Sequence, residues 1–212
     1  MPNEPVVHVI DDDEAVRQSL AFLLRSATIE VQIHESAVAF LDALPHLKPG
    51  CVITDVRMPG ISGVELLKRL KDLENGIPVI VITGHGDVTL AVEAMKIGAS
   101  DFLEKPFDDD VLLAAVRSAL DQREKNDRRE AEKAEIHDRL ATLSNRERQV
   151  LECLVAGFPN KTIAYDLGIS PRTVEIYRAN VMTKMMATSL SNLVRMALIA
   201  GVLDGTPTSA AS

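Results

Sequence analysis

The sequence predicts an α/β protein: a five-stranded, parallel, doubly wound sheet in strand order 2-1-3-4-5, joined by a helical linker to a small all-α domain. Three observations carry that prediction. Residues 6–120 alternate short apolar runs with helix-spaced segments five times over, the pattern of successive βα units. Four of the apolar runs end on residues with useful chemistry: Val6–Ile10 runs into Asp11-Asp12-Asp13, Cys51–Thr54 into Asp55, Val79–Ile82 into Thr83, and Asp101–Glu104 into Lys105. From Leu143 onward the spacing is helical alone, punctuated by Gly157, Gly168 and Ser170-Pro171.

Taken in order, Val6–Ile10 is the first strand, and Ala15-Val16, Leu20 and Leu23-Leu24 follow at helical spacing. Val31–Ile33 is a short second strand. Ser36 caps a helix carrying Val38, Phe40-Leu41 and Leu44. The third strand ends at Asp55, where Met58-Pro59-Gly60 breaks the chain; Val64, Leu66-Leu67 and Leu70 mark the next helix. After Thr83 a helix carries Leu90, Ala91, Ala94 and Met95 and stops at Gly98. Phe102-Leu103 forms the fifth strand, and Val111 to Leu120 closes the unit. Right-handed crossovers and an order such as 2-1-3-4-5 follow, with the carboxyl ends of all strands at one edge, where open α/β sheets bind ligands.

Residues 121–130 are almost wholly charged, and the segment 121–142 carries mixed signs at three- and four-residue spacing, as in an exposed linker helix. Ala131, Ala134, Ile136 and Leu140 are too few for a coiled-coil seam. Ser144 and Glu147 fit a capping box at the next helix. Asn160 caps a short helix that Gly168 stops, and Ser170-Pro171 opens a third. Helix, glycine turn, helix is the outline of a helix-turn-helix. The predicted domains are therefore 1–120, a linker 121–142, 143–204, and a disordered tail 205–212.

With 46% hydrophobic and 25% charged residues over 212 positions, the chain is globular and can hold two cores, aliphatic because aromatics are 3% and Trp is absent. Residues 1–120 hold 10 basic against 19 acidic residues, net −9; residues 143–212 hold 7 against 5, net +2. The front half repels a polyanion that the C-terminal part can approach. Cys51 and Cys153 read as buried free thiols of a reducing compartment. Neither a signal peptide nor a bilayer-length apolar run is present, so the expectation is a cytoplasmic protein with no membrane partner.

Carboxylates gathered at one sheet edge repel one another, and a hard cation relieves that. Mg²⁺ takes oxygen ligands and keeps several waters, so a few carboxylates plus a substrate phosphate suffice. Asp55 can then attack phosphorus to give an acyl phosphate, with the Lys105 ammonium and the Thr83 hydroxyl placed for the phosphoryl oxygens. Singly, each residue has a plainer use: Asp11, Asp12 and Asp13 as helix caps, Thr83 in a turn, Lys105 in solvent. Their joint placement favours the site.

These motifs resemble a known family. Residues 6–120 are similar to the receiver domain of two-component response regulators, and residues 143–201 to the LuxR-type DNA-binding domain. The whole resembles the FixJ subgroup in its Asp-Asp after the first strand, Asp55-Val-Arg-Met-Pro-Gly-Ile-Ser-Gly63, Ile82-Thr-Gly-His-Gly-Asp87 and Glu104-Lys-Pro-Phe107. The resemblance implies phosphorylation of Asp55 by a sensor histidine kinase, Mg²⁺ on Asp11, Asp12, Asp55 and the Arg57 carbonyl, and Thr83 and Lys105 on the phosphoryl group. It further implies a Thr83–Phe102 switch, a cis Lys105-Pro106 bond, a homodimer on phosphorylation, and promoter DNA and RNA polymerase as partners. Chemistry would be limited to self-phosphorylation and slow self-dephosphorylation, so the chain is not a turnover enzyme. Val88, Leu90, Val92 and Val111 are either core or the apolar part of the dimer face.

In the helix-turn-helix reading the helix from Pro171 to about Met186 enters the major groove. Its candidate contacts are Arg172, Thr173, Glu175, Ile176 and Arg178, with Lys161 and Lys184 on phosphates. Asn145 and Pro159 depart from the proline and serine usual in the LuxR-type pattern. Two competing functions remain at this point. A haloacid-dehalogenase-type phosphohydrolase would use Asp11 as nucleophile and Asp13 as acid/base, leaving Asp55 idle. A constitutive DNA binder would keep the first domain only as a dimerisation platform.

Overall fold

The computed structural model describes residues 5–73, 75–84 and 88–202. The His85–Asp87 part of the Ile82–Asp87 motif, the Val88 side chain and the tail 205–212 lie outside these residues. The chain divides into two units, Met1–Asp127 and Arg128–Ser212.

In the first unit the strands are β1 (Val6–Ile10), β2 (Glu30–His34), β3 (Gly50–Asp55), β4 (Val79–Thr83) and β5 (Asp101–Glu104). They form one parallel sheet in the order β2-β1-β3-β4-β5. The helices α1 (Glu14–Ser26), α2 (Ala37–Ala43), α3 (Gly63–Asp72) and α4 (Val88–Ile97) alternate with them, and α5 (Asp109–Ala141) begins in this unit and ends in the second. β2 is longer than its apolar pair Val31 and Ile33 suggests, because backbone pairing to β1 extends it to Glu30 and His34.

Period-two alternation sorts each strand onto two faces. Val7, Val9, Ile53, Ile80 and Ile82 pack with Leu24 of α1 and Leu112 and Val116 of α5. Val52, Val79 and Val81 pack on the other side with Phe40 of α2, Leu66 and Leu70 of α3, and Ala94 of α4. Burial on both faces is why these strands read as continuous apolar runs. A fully buried leucine such as Leu66 contributes roughly 1.5–3 kcal/mol to this packing. Leu90 packs partly against the core, whereas Val92 and Val111 are exposed.

The second unit contains α6 (Asn145–Val155), α7 (Asn160–Leu167), α8 (Pro171–Lys184) and α9 (Leu190–Ile199). The capping box forms: Ser144 Oγ accepts from the Glu147 N–H at 3.3 Å, and Glu147 Oε2 accepts from the Ser144 N–H at 2.8 Å. Gly168, at φ 63°, ends α7 in the left-handed conformation that glycine reaches without a Cβ clash. Ser170 caps α8.

Three expectations need correction. Asn160 does not cap α7; Pro159 holds the cap position without a side-chain bond, and Asn160 is the first helical residue. Cys153 is half-buried, not buried, and both thiols are free. The charged segment is helical, but Ile136 and Leu140 are buried at 2% and 4% exposure beside Val150, Val174 and Leu193. Two apolar residues one turn apart are too few for a seam yet enough to close a small helical core.

Candidate functional site

The carboxyl edge of the sheet brings Asp11, Asp55 and Lys105 together. β1 and β3 are adjacent, so Asp11 and Asp55 emerge from neighbouring strands, and the β4–β5 pairing delivers Lys105 beside Thr83. Lys105 Nζ donates to Asp55 Oδ1 at 2.7 Å and to Asp11 Oδ2 at 3.3 Å. The backbone N–H of Arg57 donates to the other Asp55 oxygen, Oδ2, at 2.7 Å. Gly63 permits the tight return of the loop after β3: a Cβ there would lie 2.2 Å from the Asp55 carbonyl oxygen.

Asp13 has a different task. Its carboxylate caps α1 by accepting from the N–H groups of Ala15 and Val16 at 2.8 and 3.4 Å. Asp12 is exposed and lines a cleft of about 630 Å³ with Val56, Arg57, Met58 and Lys68. Thr83 is buried at the end of β4, and its carbonyl accepts from the Lys105 N–H at 2.7 Å. Phe102 is half-buried beside Ala91, Val92 and Met95. The Lys105-Pro106 bond is cis. A cavity of roughly 850 Å³, lined by His8, Phe40 and Leu44, is built from other residues and contains none of these groups.

Electrostatics at the edge are unbalanced. Burial pushes the Asp11 carboxyl above its ordinary value, partly offset by the Asp13 N–H and by Lys105. Burial pulls Lys105 down, but the hydrogen bond and charge of Asp55 and the charge of Asp11 outweigh it and raise the lysine overall. One ammonium thus serves two carboxylates, with Asp12 close by in sequence, and the surplus is negative. That donor set suits a hard cation. Among the described residues no three His, Cys, Asp or Glu side chains converge as a ready-made cage. A cation here would therefore use carboxylates, a backbone carbonyl and water together.

In the second unit, Arg172, Glu175, Ile176 and Ala179 are exposed along α8, opposite the buried Val174 and Val181. Lys161 is exposed on α7. Three candidates stand differently from expectation. Arg178 is half-buried because it lies four residues from Val174 and three from Val181, on their side of the helix. The Thr173 hydroxyl is hydrogen-bonded to Ser170 Oγ at 2.8 Å. Lys184 does not project freely; its ammonium donates to Glu147 Oε2 at 2.7 Å and to the Thr142 carbonyl at 3.2 Å.

Sequence reasoning missed Asn180 and Thr183, which extend the exposed face of α8 and follow Ile176 and Ala179 at four-residue spacing. It also missed Arg17, whose Nη1 donates to the Asp11 carbonyl at 2.6 Å. No pattern announced that bond, since it depends on how α1 leans on β1. The haloacid-dehalogenase alternative loses its acid/base, because Asp13 is bound as a cap.

Residues 7–117 match the response regulator receiver domain, and residues 141–197 match the bacterial regulatory proteins of the luxR family. The chain is 65% identical to the transcriptional regulatory protein FixJ of Azorhizobium caulinodans, covering 98% of this chain and 100% of that protein. It is 59% identical to FixJ of Bradyrhizobium diazoefficiens, covering 93% and 97%. Among solved structures, full-length FixJ from B. japonicum is 58% identical with a TM-score of 0.59, covering 94% and 98%. The response regulator StyR is 41% identical with a TM-score of 0.80, covering 92% and 98%.

Proposed function

The chain belongs to the FixJ-type response regulators, phosphorylation-dependent transcriptional regulators that join a receiver domain to a LuxR-type DNA-binding domain, and from that premise we propose which of its residues carry each step. Such a pairing implies a sensor kinase as donor and promoter DNA as target. Asp55 is the phosphoacceptor. The observation that carries this is the pair of hydrogen bonds that fix its carboxylate, Lys105 on one oxygen and the Arg57 N–H on the other. Both donors hold the group at the carboxyl edge of the sheet.

In the transfer, an Asp55 oxygen forms a bond to phosphorus while the bond to the donor's histidine nitrogen breaks, and the electron pair leaves with the imidazole. Receiver domains use Mg²⁺; Asp11, Asp12, Asp55 and the Arg57 carbonyl would hold it, and it would neutralise charge on the transferring group. Lys105 shifts from sharing two carboxylates to pairing with the phosphoryl oxygens. Thr83 offers a hydroxyl to the same group, and Phe102 turns inward as Thr83 moves. That exchange shifts the population between two packings of α4 and β5. Val92, Met95 and Val111, all about half exposed, supply the apolar part of a homodimer face.

The dimer then presents two copies of α8 to promoter DNA, with Arg172, Glu175 and Ile176 reading base edges, Lys161 on phosphate, and RNA polymerase recruited beside them. The reading places the protein in the cytoplasm; no helix of the described residues is long and apolar enough to cross a membrane. Chemistry beyond accepting and slowly losing the phosphoryl group has no role in it.

The test is intact mass after incubation with a small acyl-phosphate donor and Mg²⁺, wild type beside Asp55→Asn. One labile adduct in the wild type alone supports the assignment. An adduct that survives in the variant moves the acceptor elsewhere.

A further inference from the structure

We infer that Glu147 and Lys184 are positioning residues that set the angle of α8 for DNA, an inference that rests on the reading of α8 as the recognition helix. Among the described residues Glu147 is one of two buried acidic side chains, at 4% exposure, and two donors meet it. Its Oε2 accepts from the Ser144 N–H at 2.8 Å and from Lys184 Nζ at 2.7 Å. Lys184 lies in the last turn of α8, where a cation also meets the negative end of the helix dipole. A second of its three donors is taken by the Thr142 carbonyl at 3.2 Å. One residue on, the Met185 carbonyl, an orphan of the helix end, accepts from Arg139 Nη1 at 3.2 Å. The carboxyl end of α8 is thus tied to the start of α6 and to the last turn of α5 through named polar atoms.

The opposite end of α8 carries the outward residues; it is held by the Ser170 cap at 3.1 Å and by Val174 in the core, and among the described residues Arg172 has no ion pair like that of Lys184. Arg172 lies twelve residues from Lys184, roughly 18 Å along the axis. A tilt of about 10° at the clasp would move Arg172 by roughly 3 Å, beyond what a directional base contact tolerates. The clasp therefore governs sequence-selective contacts without touching DNA.

Charge makes the inference separable from simpler ones. Glu147→Gln removes a negative charge near a polyanion, so electrostatics alone predicts tighter binding, whereas loss of positioning predicts weaker binding. Lys184→Met removes a positive charge; a lysine that touched phosphate would take about 0.9 off the slope of log affinity against log salt.

The experiment uses the full-length chain treated with an acyl phosphate and Mg²⁺. Its probes are a short labelled duplex selected from random sequence by the wild type, and an unselected duplex of equal length. Glu147→Gln and Lys184→Met are each expected to weaken the selected duplex about tenfold, with the salt slope and unselected binding retained. The double variant should be no worse than the weaker single, and Lys184→Arg should recover most of the loss.

Three results overturn the inference: a lowered slope in Lys184→Met with Glu147→Gln unchanged or tighter, wild-type affinity in both at a temperature where both are folded, or parallel loss of unselected binding. Should Glu147→Gln fail to fold, Lys184→Met against Lys184→Arg decides by the same readouts. Arg172→Ala and Ile176→Ala serve as controls. If they keep selected affinity, the reading of α8 itself fails, whatever the clasp variants do.

Discussion

Two lysine–carboxylate pairs at the same 2.7 Å separation occupy the two units, and they do opposite work. Lys105 meets Asp55 and, at 3.3 Å, Asp11 as well, so one cation answers two anions. Lys184 meets one carboxylate, Glu147, which also accepts from a backbone N–H, and its ammonium donates as well to the Thr142 carbonyl. The first arrangement has negative charge left over, which is what the proposed uptake of a cation and a phosphoryl group requires. In the second, one ammonium answers one carboxylate and the charges balance. An ion pair marks a functional site by what remains uncompensated around it, not by its distance.

The sharpest way to break that comparison is to remove each ammonium in turn. Lys105→Met should slow phosphoryl uptake from an acyl-phosphate donor by about a hundredfold, the usual cost of losing one charge-stabilising donor. Lys184→Met should leave uptake unchanged. Rates from intact-mass time courses decide it, and equal slowing in both variants would dissolve the distinction.

Next in size are the two cores beneath the pairs. Leu66→Ala and Leu151→Ala both empty positions with no solvent exposure, and each should lose about 2–5 kcal/mol in urea unfolding. The measurement sharpens the comparison if Leu151→Ala damages DNA binding while phosphoryl uptake survives, and Leu66→Ala does the reverse. A loss below about 1 kcal/mol at either site would mean the surroundings collapse into the gap more freely than the packing shows.

How much of this was legible in the residues follows the same division. The parallel sheet, its order and the convergence of Asp11, Asp55 and Lys105 could be read beforehand, because buried parallel strands write continuous apolar runs and end abruptly. The capping box at Ser144 and Glu147 was legible too, being local. What escaped was reach between elements: Lys184 to Glu147 and Arg139 to Met185 across tens of residues, and Arg17 of α1 back to the Asp11 carbonyl after β1. A lysine in a basic helix reads as a phosphate contact until a buried carboxylate is found in front of it. Ile136 and Leu140 escaped for a related reason, since two apolar residues within a charged helix gain meaning only from the core they meet.

Acid separates the units further. His34 is held down to about 4 by burial and by the neighbouring His8, against an unfolded value of 6.5. The unfolded chain therefore binds the proton more tightly, and stability of the first unit is lost as pH falls from about 6.5 toward 4. Glu147 is held down to about 2 by Lys184 and the Ser144 N–H, against 4.5. Its contribution is complete above pH 4.5 and disappears as pH falls toward 2. The first unit should weaken at milder acidity than the second. Melting curves for wild type, His34→Phe and Glu147→Gln at stepped pH check this, with His34→Phe flattening only the upper window and Glu147→Gln only the lower.

The smallest effect belongs to a third lysine pair, which tests whether short distance alone confers anything. Lys48 Nζ lies 2.6 Å from Glu30 Oε1, closer than either functional pair, but the two side chains are 44% and 40% exposed. Water solvates both charges whether or not they meet, and holding two long side chains together costs rotamer entropy. Lys48→Met should therefore shift stability by about 0–1 kcal/mol, less as salt is added, and should alter neither phosphoryl uptake nor DNA affinity. The Lys48 carbonyl that receives His8 at 3.1 Å is backbone and survives the change. A loss above about 2 kcal/mol in urea unfolding would show that an exposed pair can rival a buried one in this protein, and the contrast between compensated and uncompensated charge would need a different footing.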